Sequence, residues 1–190
     1  RLIITASLYF CNMIQEEFKF FKPCKLLQPY VRYYWVFNSC QMMNTYTFPI
    51  GCPQIIFHKR TPLFIPELNT TQNRLTISGQ VNFSSHLKAD DDVEMIVVVF
   101  YPHTMNMFLN TPTSIFYNKE VSGYDIEDKH LNELAMQVFD CADNNRCVTL
   151  IEKWLLSQLS TKPTDTAYRV NRMNAAIGKL FSAPHTLVTE

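Results

Sequence analysis

Five histidines, six cysteines and one run of three aspartates are the residues of this 190-residue chain with the most obvious chemical reach. His58, His86, His103, His130 and His185 are scattered. None forms a His-x-His pair with a nearby glutamate, the spacing that lets two imidazoles and a carboxylate converge on one metal ion. His58 and His86 could meet only through the fold, and a strand-end histidine is more often a hydrogen-bonded structural residue than a ligand. Cys11, Cys24, Cys40, Cys52, Cys141 and Cys147 contain no CxxC pair and no zinc-finger spacing. They read as free thiols in a chain large enough to fold without staples. Asp90-Asp91-Asp92 lacks the oxygen-rich, glycine-containing loop of a calcium site and reads as a solvated turn. There is no nucleophile elbow, and the four glycines form no phosphate-cradling loop. On these residues the expectation is no catalytic residue, no metal and no cofactor.

The aromatic cluster Tyr30, Tyr33, Tyr34, Trp35 and Phe37 is more suggestive. Its ordinary reading is core. Its functional reading is the wall of an apolar ligand cavity, because sandwiches and barrels enclose small molecules between their inner faces. On that reading Tyr33, Trp35, Phe57 and His58 are the candidate pocket, aromatic walls with one polar handle. A second set, Leu134, Val138, Ile151 and Leu155, lies on two apolar helical stripes. Core packing is the default for these four; a dimer seam is the alternative, and it requires apolar surface left over after packing.

The elements that must position these residues follow from punctuation and period. Eight prolines fall between Pro23 and Pro112, and none follows until Pro163. Short apolar runs with frequent breaks read as strands, and a long unbroken stretch reads as helix. Strands are expected over 2–10, 31–37, 54–58, 63–65, 74–83 and 93–101. In 31–37 alternation places Val31, Tyr33, Trp35 and Phe37 inward and Arg32 outward. Met95 to Phe100 is apolar at every position, the pattern of a strand covered on both faces. After Asp125 the period changes: Leu131, Leu134, Ala135, Val138 and Phe139 form one stripe of a helix over 125–140. Asp125 is its expected N-cap, with Asp128 in the first turn. A second helix is expected over about 145–159, with Val148, Ile151, Trp154, Leu155 and Leu159, ended by Pro163. A third is expected from Thr166, with Val170, Met173, Ile177, Leu180 and Phe181, to the break at Ala183-Pro184.

Composition bounds the function. Seventeen basic residues balance seventeen acidic ones, and the pI is near 7.1. A stand-alone nucleic-acid or polybasic membrane binder usually carries a positive excess. Hydrophobic residues make up 47% and aromatics 13%, enough for a packed core and incompatible with global disorder. No apolar run approaches the length of a membrane helix. Leu2 to Phe10 lacks a cleavage pattern and reads as a strand rather than a signal peptide. The expectation is a cytoplasmic protein.

Four segments in order, LLQPYVRYYWVF (26–37), FPIGCPQIIFH (48–58), ISGQVNFSSHL (77–87) and VVVFYPHTMNMFLNTP (97–112), resemble the N-terminal sensor domains of AraC-type bacterial transcription regulators. The C-terminal RVNRMNAAIGKLFSAPHTLVTE (169–190) is similar to the entry of that family's DNA-binding domain, with Val188, Thr189 and Glu190 matching the start of its first helix-turn-helix. The recognition helices themselves are absent, so no DNA-contacting residue is carried over.

The resemblance implies an α+β fold: a cupin-like β-sandwich or barrel over 1–123, a helical hairpin over 124–162 for packing or dimerisation, and a linker helix over 163–190. It implies an effector-sensing or dimerising domain that works as a homodimer, binds a small-molecule effector, and reaches DNA only through a domain beyond this chain. The lack of His-x-His sets it apart from metal-binding cupins. The alternatives are a small cupin-type enzyme, an isomerase or oxygenase, and a dimerisation module with a filled core and no ligand.

Overall fold

The computed structural model describes residues 17–109 and 111–161, together with Val170, Arg172, Met173, Ala175 and Ala176. The strand expected over 2–10, Pro163 and most of the third helix lie outside the described residues; Val170 is helical and buried.

Among the described residues, two antiparallel sheets are followed by two helices and by the helical Val170, Arg172, Met173, Ala175 and Ala176. The strands are β1 (Glu17–Phe21), β2 (Val31–Ser39), β3 (Met43–Thr47), β4 (Gln54–His58), β5 (Phe64–Ile65), β6 (Thr70–Thr71), β7 (Leu75–Ser78), β8 (Ser85–Ala89), β9 (Val93–Phe100) and β10 (Glu120–Ser122). The helices are α1 (Lys129–Asp140) and α2 (Asn144–Ser160). The larger sheet runs β1-β2-β9-β4-β7-β10 and the smaller β3-β8-β5-β6. The class is α+β, a sandwich with helices after it. No helix among the described residues is long and apolar enough to cross a membrane.

The six-stranded sheet is apolar on both faces, which accounts for the unbroken hydrophobic run of β9. Ile96, Val98 and Phe100 join a core shared with the helices, while Val93, Met95, Val97 and Val99 join a second core facing the smaller sheet. Period-2 alternation thus sorts one strand between two cores. In β2 the alternation is interrupted. The pairing steps from Val31↔Phe100 to Tyr33↔Val99, leaving Arg32 as an extra residue. Val31 therefore lies with Tyr34 and Val36 in the helix-side core, and only Tyr33, Trp35 and Phe37 face the other sheet. The expectation that Val31 shares a face with Tyr33 is corrected by this bulge.

The expected strand over 74–83 is only Leu75–Ser78, because Gly79 leaves the ladder to meet the turn at Phe116. Among the described residues β1, β3 and β10 are sheet edges without a clean apolar pattern, and β8 alternates weakly; the sequence pattern predicts none of the four.

Helix α1 begins at Lys129, not near Asp125. Its N-cap is Asp128, whose carboxylate accepts a hydrogen bond from the Leu131 amide at 3.0 Å. Asp125 instead ends a 3₁₀ turn over Gly123–Asp125, while Ile126 is drawn into the core. Asp143 caps α2 through the Asn145 amide at 3.1 Å. Leu134, Val138, Ile151 and Leu155 lie in the core between helices and sheet, at 5, 0, 0 and 0% exposure within a single chain. Within a single chain these four take the core-packing role that is their default reading, and almost no apolar surface is left on them for a seam.

Candidate functional site

A cavity of about 290 Å³ lies between the two sheets. Every strand of the six-stranded sheet contributes to its wall: Phe18 and Phe20 from β1, Tyr33 and Trp35 from β2, Met95 and Val97 from β9, Gln54 and Ile56 from β4, Ser78 from β7 and Glu120 from β10. Thr47, Ser85 and Leu87 close it from the smaller sheet. Phe18 stacks 5.8 Å from Trp35, and Phe20 meets Tyr33 edge-on at 5.8 Å, because β1 pairs in register with β2. Phe20 and Phe48 are 68% and 74% exposed and mark the solvent side.

One part of the wall is polar and closely wired. Ser78 Oγ donates to Glu120 Oε1 at 2.8 Å, and Gln72 Nε2 donates to Glu120 Oε2 at 3.0 Å. Gln72 Oε1 in turn lies 2.8 Å from His58 Nε2. An ionised carboxylate only accepts. It therefore turns the Gln72 amide nitrogen toward itself, leaves the carbonyl for His58, and fixes the His58 proton on Nε2. Burial pushes the Glu120 carboxyl up to about 7, against the two hydrogen bonds that favour its charge. Burial holds His58 down to about 4.

Of the four residues expected to form a pocket, Tyr33 and Trp35 line the cavity. His58 is fully buried one hydrogen bond behind the wall, through Gln72. Phe57 is not a pocket residue. It belongs to the helix-side core, because Gln54 and Ile56 of β4 face the cavity and Ile55 and Phe57 face away. The apolar QIIF run gives no clue to that phase. Sequence reasoning missed Glu120, Gln72 and Ser78. A single glutamate in NKEVSG looks like any surface acid, and its place in the cavity wall depends on β10 pairing with β7.

His86 sits in the smaller sheet, paired with Glu67, while His58 ends a strand of the larger sheet and pairs with Gln72. No cluster of three or more histidine, cysteine or acidic residues among the described residues could hold a metal ion. Asp92 of the aspartate run pairs with Arg60 at 2.7 Å. Cys24, Cys40, Cys52, Cys141 and Cys147 are free thiols.

The two perturbed groups make a pH prediction with a definite sign. Glu120 has a folded pKa raised by burial from the ordinary 4.5, so its contribution to stability is lost as pH rises from about 4.5 through about 7. Holding it ionised above that range costs about 3 kcal/mol. His58 has a folded pKa below 6.5, so its contribution grows as pH rises from about 4 to 6.5. Over the shared window the slopes oppose each other, and the unsubstituted chain is expected to show a nearly flat profile there. Glu120→Gln removes the falling slope. Urea unfolding of that variant should show stability rising by about 2–3 kcal/mol across the His58 window. A variant profile as flat as that of the parent would sink the assignment.

A family model described as a domain of unknown function, DUF6597, matches residues 19–122, more than half of the chain. The match ends with β10 and leaves α1 and α2 outside it. No curated protein and no solved structure matches.

Proposed function

Starting from a chain that belongs to the DUF6597 family, whose description assigns no function, we propose that it is the effector-sensing domain of an AraC-type transcription regulator. It acts in the cytoplasm, its β part is cupin-like, and its DNA-binding part lies beyond Glu190. The observation that carries the reading is the cavity between the sheets, with a half-buried carboxylate in its wall on the strand that leads into the helices. Only six residues separate the end of β10 at Ser122 from the start of α1 at Lys129. Gly123 in that link lies so close to Leu75 that an added Cβ would sit 2.3 Å from its Cγ.

A ligand that moves Glu120 therefore pulls on a tightly packed link to α1. Helix α1 shares one core with α2 and with Val170, on the segment that runs toward the C-terminus. Sensing needs a ligand that binds two packings of this core unequally, a coupling typically of about 1–3 kcal/mol. Pairing of two copies uses surfaces other than Leu134, Val138, Ile151 and Leu155, which are interior.

The coding sequence after Glu190 tests the reading directly. About a hundred residues with two helix-turn-helix patterns are expected there; a stop codon or an unrelated domain overturns it. The coupling has its own test. A cavity ligand is expected to slow amide exchange in α1 as well as in β10, and protection confined to the cavity wall counts against transmission.

A further inference from the structure

We propose that the cavity takes a small apolar amine, with its ammonium group on the Glu120 carboxylate and its hydrocarbon body between Tyr33, Trp35 and Phe18. The inference rests on the sensing reading and names its class of effector.

Charge decides the polar end. Among the described residues of the wall, Glu120 is the sole carboxyl group, and there is no lysine, arginine or histidine. An organic acid or a phosphate would meet a carboxylate and no cation. A ligand ammonium instead supplies the cationic partner that Glu120 lacks among the described residues, and a charge drawn partly out of water gains from such a partner. Ser78 and Gln72 each occupy one acceptor site of the carboxylate. An ionised carboxylate offers about four such sites, so capacity remains for a third donor. The same two donors hold the carboxylate in place, so little ordering is left for the ligand to bring about.

Shape decides the rest. The aromatic faces of Trp35, Tyr33 and Phe18 favour an apolar body and tolerate a cation near it. A volume of about 290 Å³ is at the small end of ligand pockets, roughly 300–1,000 Å³. It suits a ligand smaller than a nucleotide.

Three near-isosteric probes separate the possibilities by calorimetric titration of the purified chain at about pH 8, where Glu120 is ionised: cyclohexylmethylamine, cyclohexylmethanol and cyclohexanecarboxylate. The amine is expected to bind about tenfold or more tightly than the alcohol, and the carboxylate not at all. Amine affinity should fall about tenfold per pH unit below about 7, while the ammonium stays charged, and alcohol affinity should stay level. His58, beyond Gln72, is neutral across that range because burial holds it down to about 4. Tyr33 and Cys52 are the other titratable groups of the wall. Glu120→Gln should abolish both the preference and its pH dependence. The parent chain's own pH profile carries the same test if that variant folds poorly.

Equal binding of amine and alcohol, or a preference for the carboxylate, overturns the amine assignment and leaves a ligand-binding cavity in place. No binding by any of the three overturns the assignment too. The regulator reading is then decided separately by the sequence after Glu190.

Discussion

Gly79→Ala is expected to destabilise the domain by about 3 kcal/mol or more, the upper end of what overpacking costs. A Cβ at this position would lie 1.7 Å from the Phe116 carbonyl oxygen and 2.3 Å from its carbonyl carbon. Both are backbone atoms, so no side-chain rotation relieves the clash. The turn over Thr113–Phe116 would have to retreat, and Phe116 is itself fully buried in the helix-side core. Retreat would also break the hydrogen bond from the Gly79 amide to the Lys119 carbonyl, next to Glu120. Gly51→Ala is the control. Gly51 has φ of +64° with open space around it, so alanine there meets backbone strain alone, about 1 kcal/mol. Urea midpoints of the two variants distinguish them, and a Gly79→Ala loss as small as that of Gly51→Ala would show that the close approach is not maintained in solution.

Ile151→Ala is expected to cost about 2–5 kcal/mol, the range for truncating a large aliphatic side chain in a packed interior. Ile151 is fully buried on α2, in the same core as Leu131 and Val138 of α1 and Ile55 and Phe57 of β4. The loss should be the same at every protein concentration, because the contacts are made within one chain. Were Ile151 and Leu155 part of a seam between copies, the unfolding midpoint of the parent would rise with concentration and the variant would lose that dependence. Denaturation at two widely separated concentrations decides between them. Concentration-dependent unfolding that disappears in Ile151→Ala would overturn the interior placement.

The amphipathic stripes of α1 and α2 were legible because a helix states its buried face locally, every three or four residues. The strands β2, β4 and β9 were legible for a similar reason: long apolar runs bounded by proline, glycine or polar turns. The helix start was misplaced by one turn because Asp125 and Asp128 both suit an N-cap, and only the burial of Ile126 and the hydrogen bond to Leu131 choose between them. Phe57 and Val31 were placed on the wrong face because strands apolar on both faces carry no phase, and a one-residue bulge reverses everything before it.

The sequence by itself determined the order of strands before helices, the doubly covered central strand and the shared face of Tyr33 and Trp35. Each of these is written in residues close together in the chain. Only the tertiary structure decided that Glu120 lines a cavity, that Ser78 and Gln72 hold it, and that His58 stands behind them. Those four residues span 62 positions from His58 to Glu120. They come together through the pairing of β7 with both β4 and β10, and nothing in the local pattern around any one of them records that pairing. Local periodicity fixes which face of an element seeks cover; the partner that covers it is chosen by contacts between distant segments.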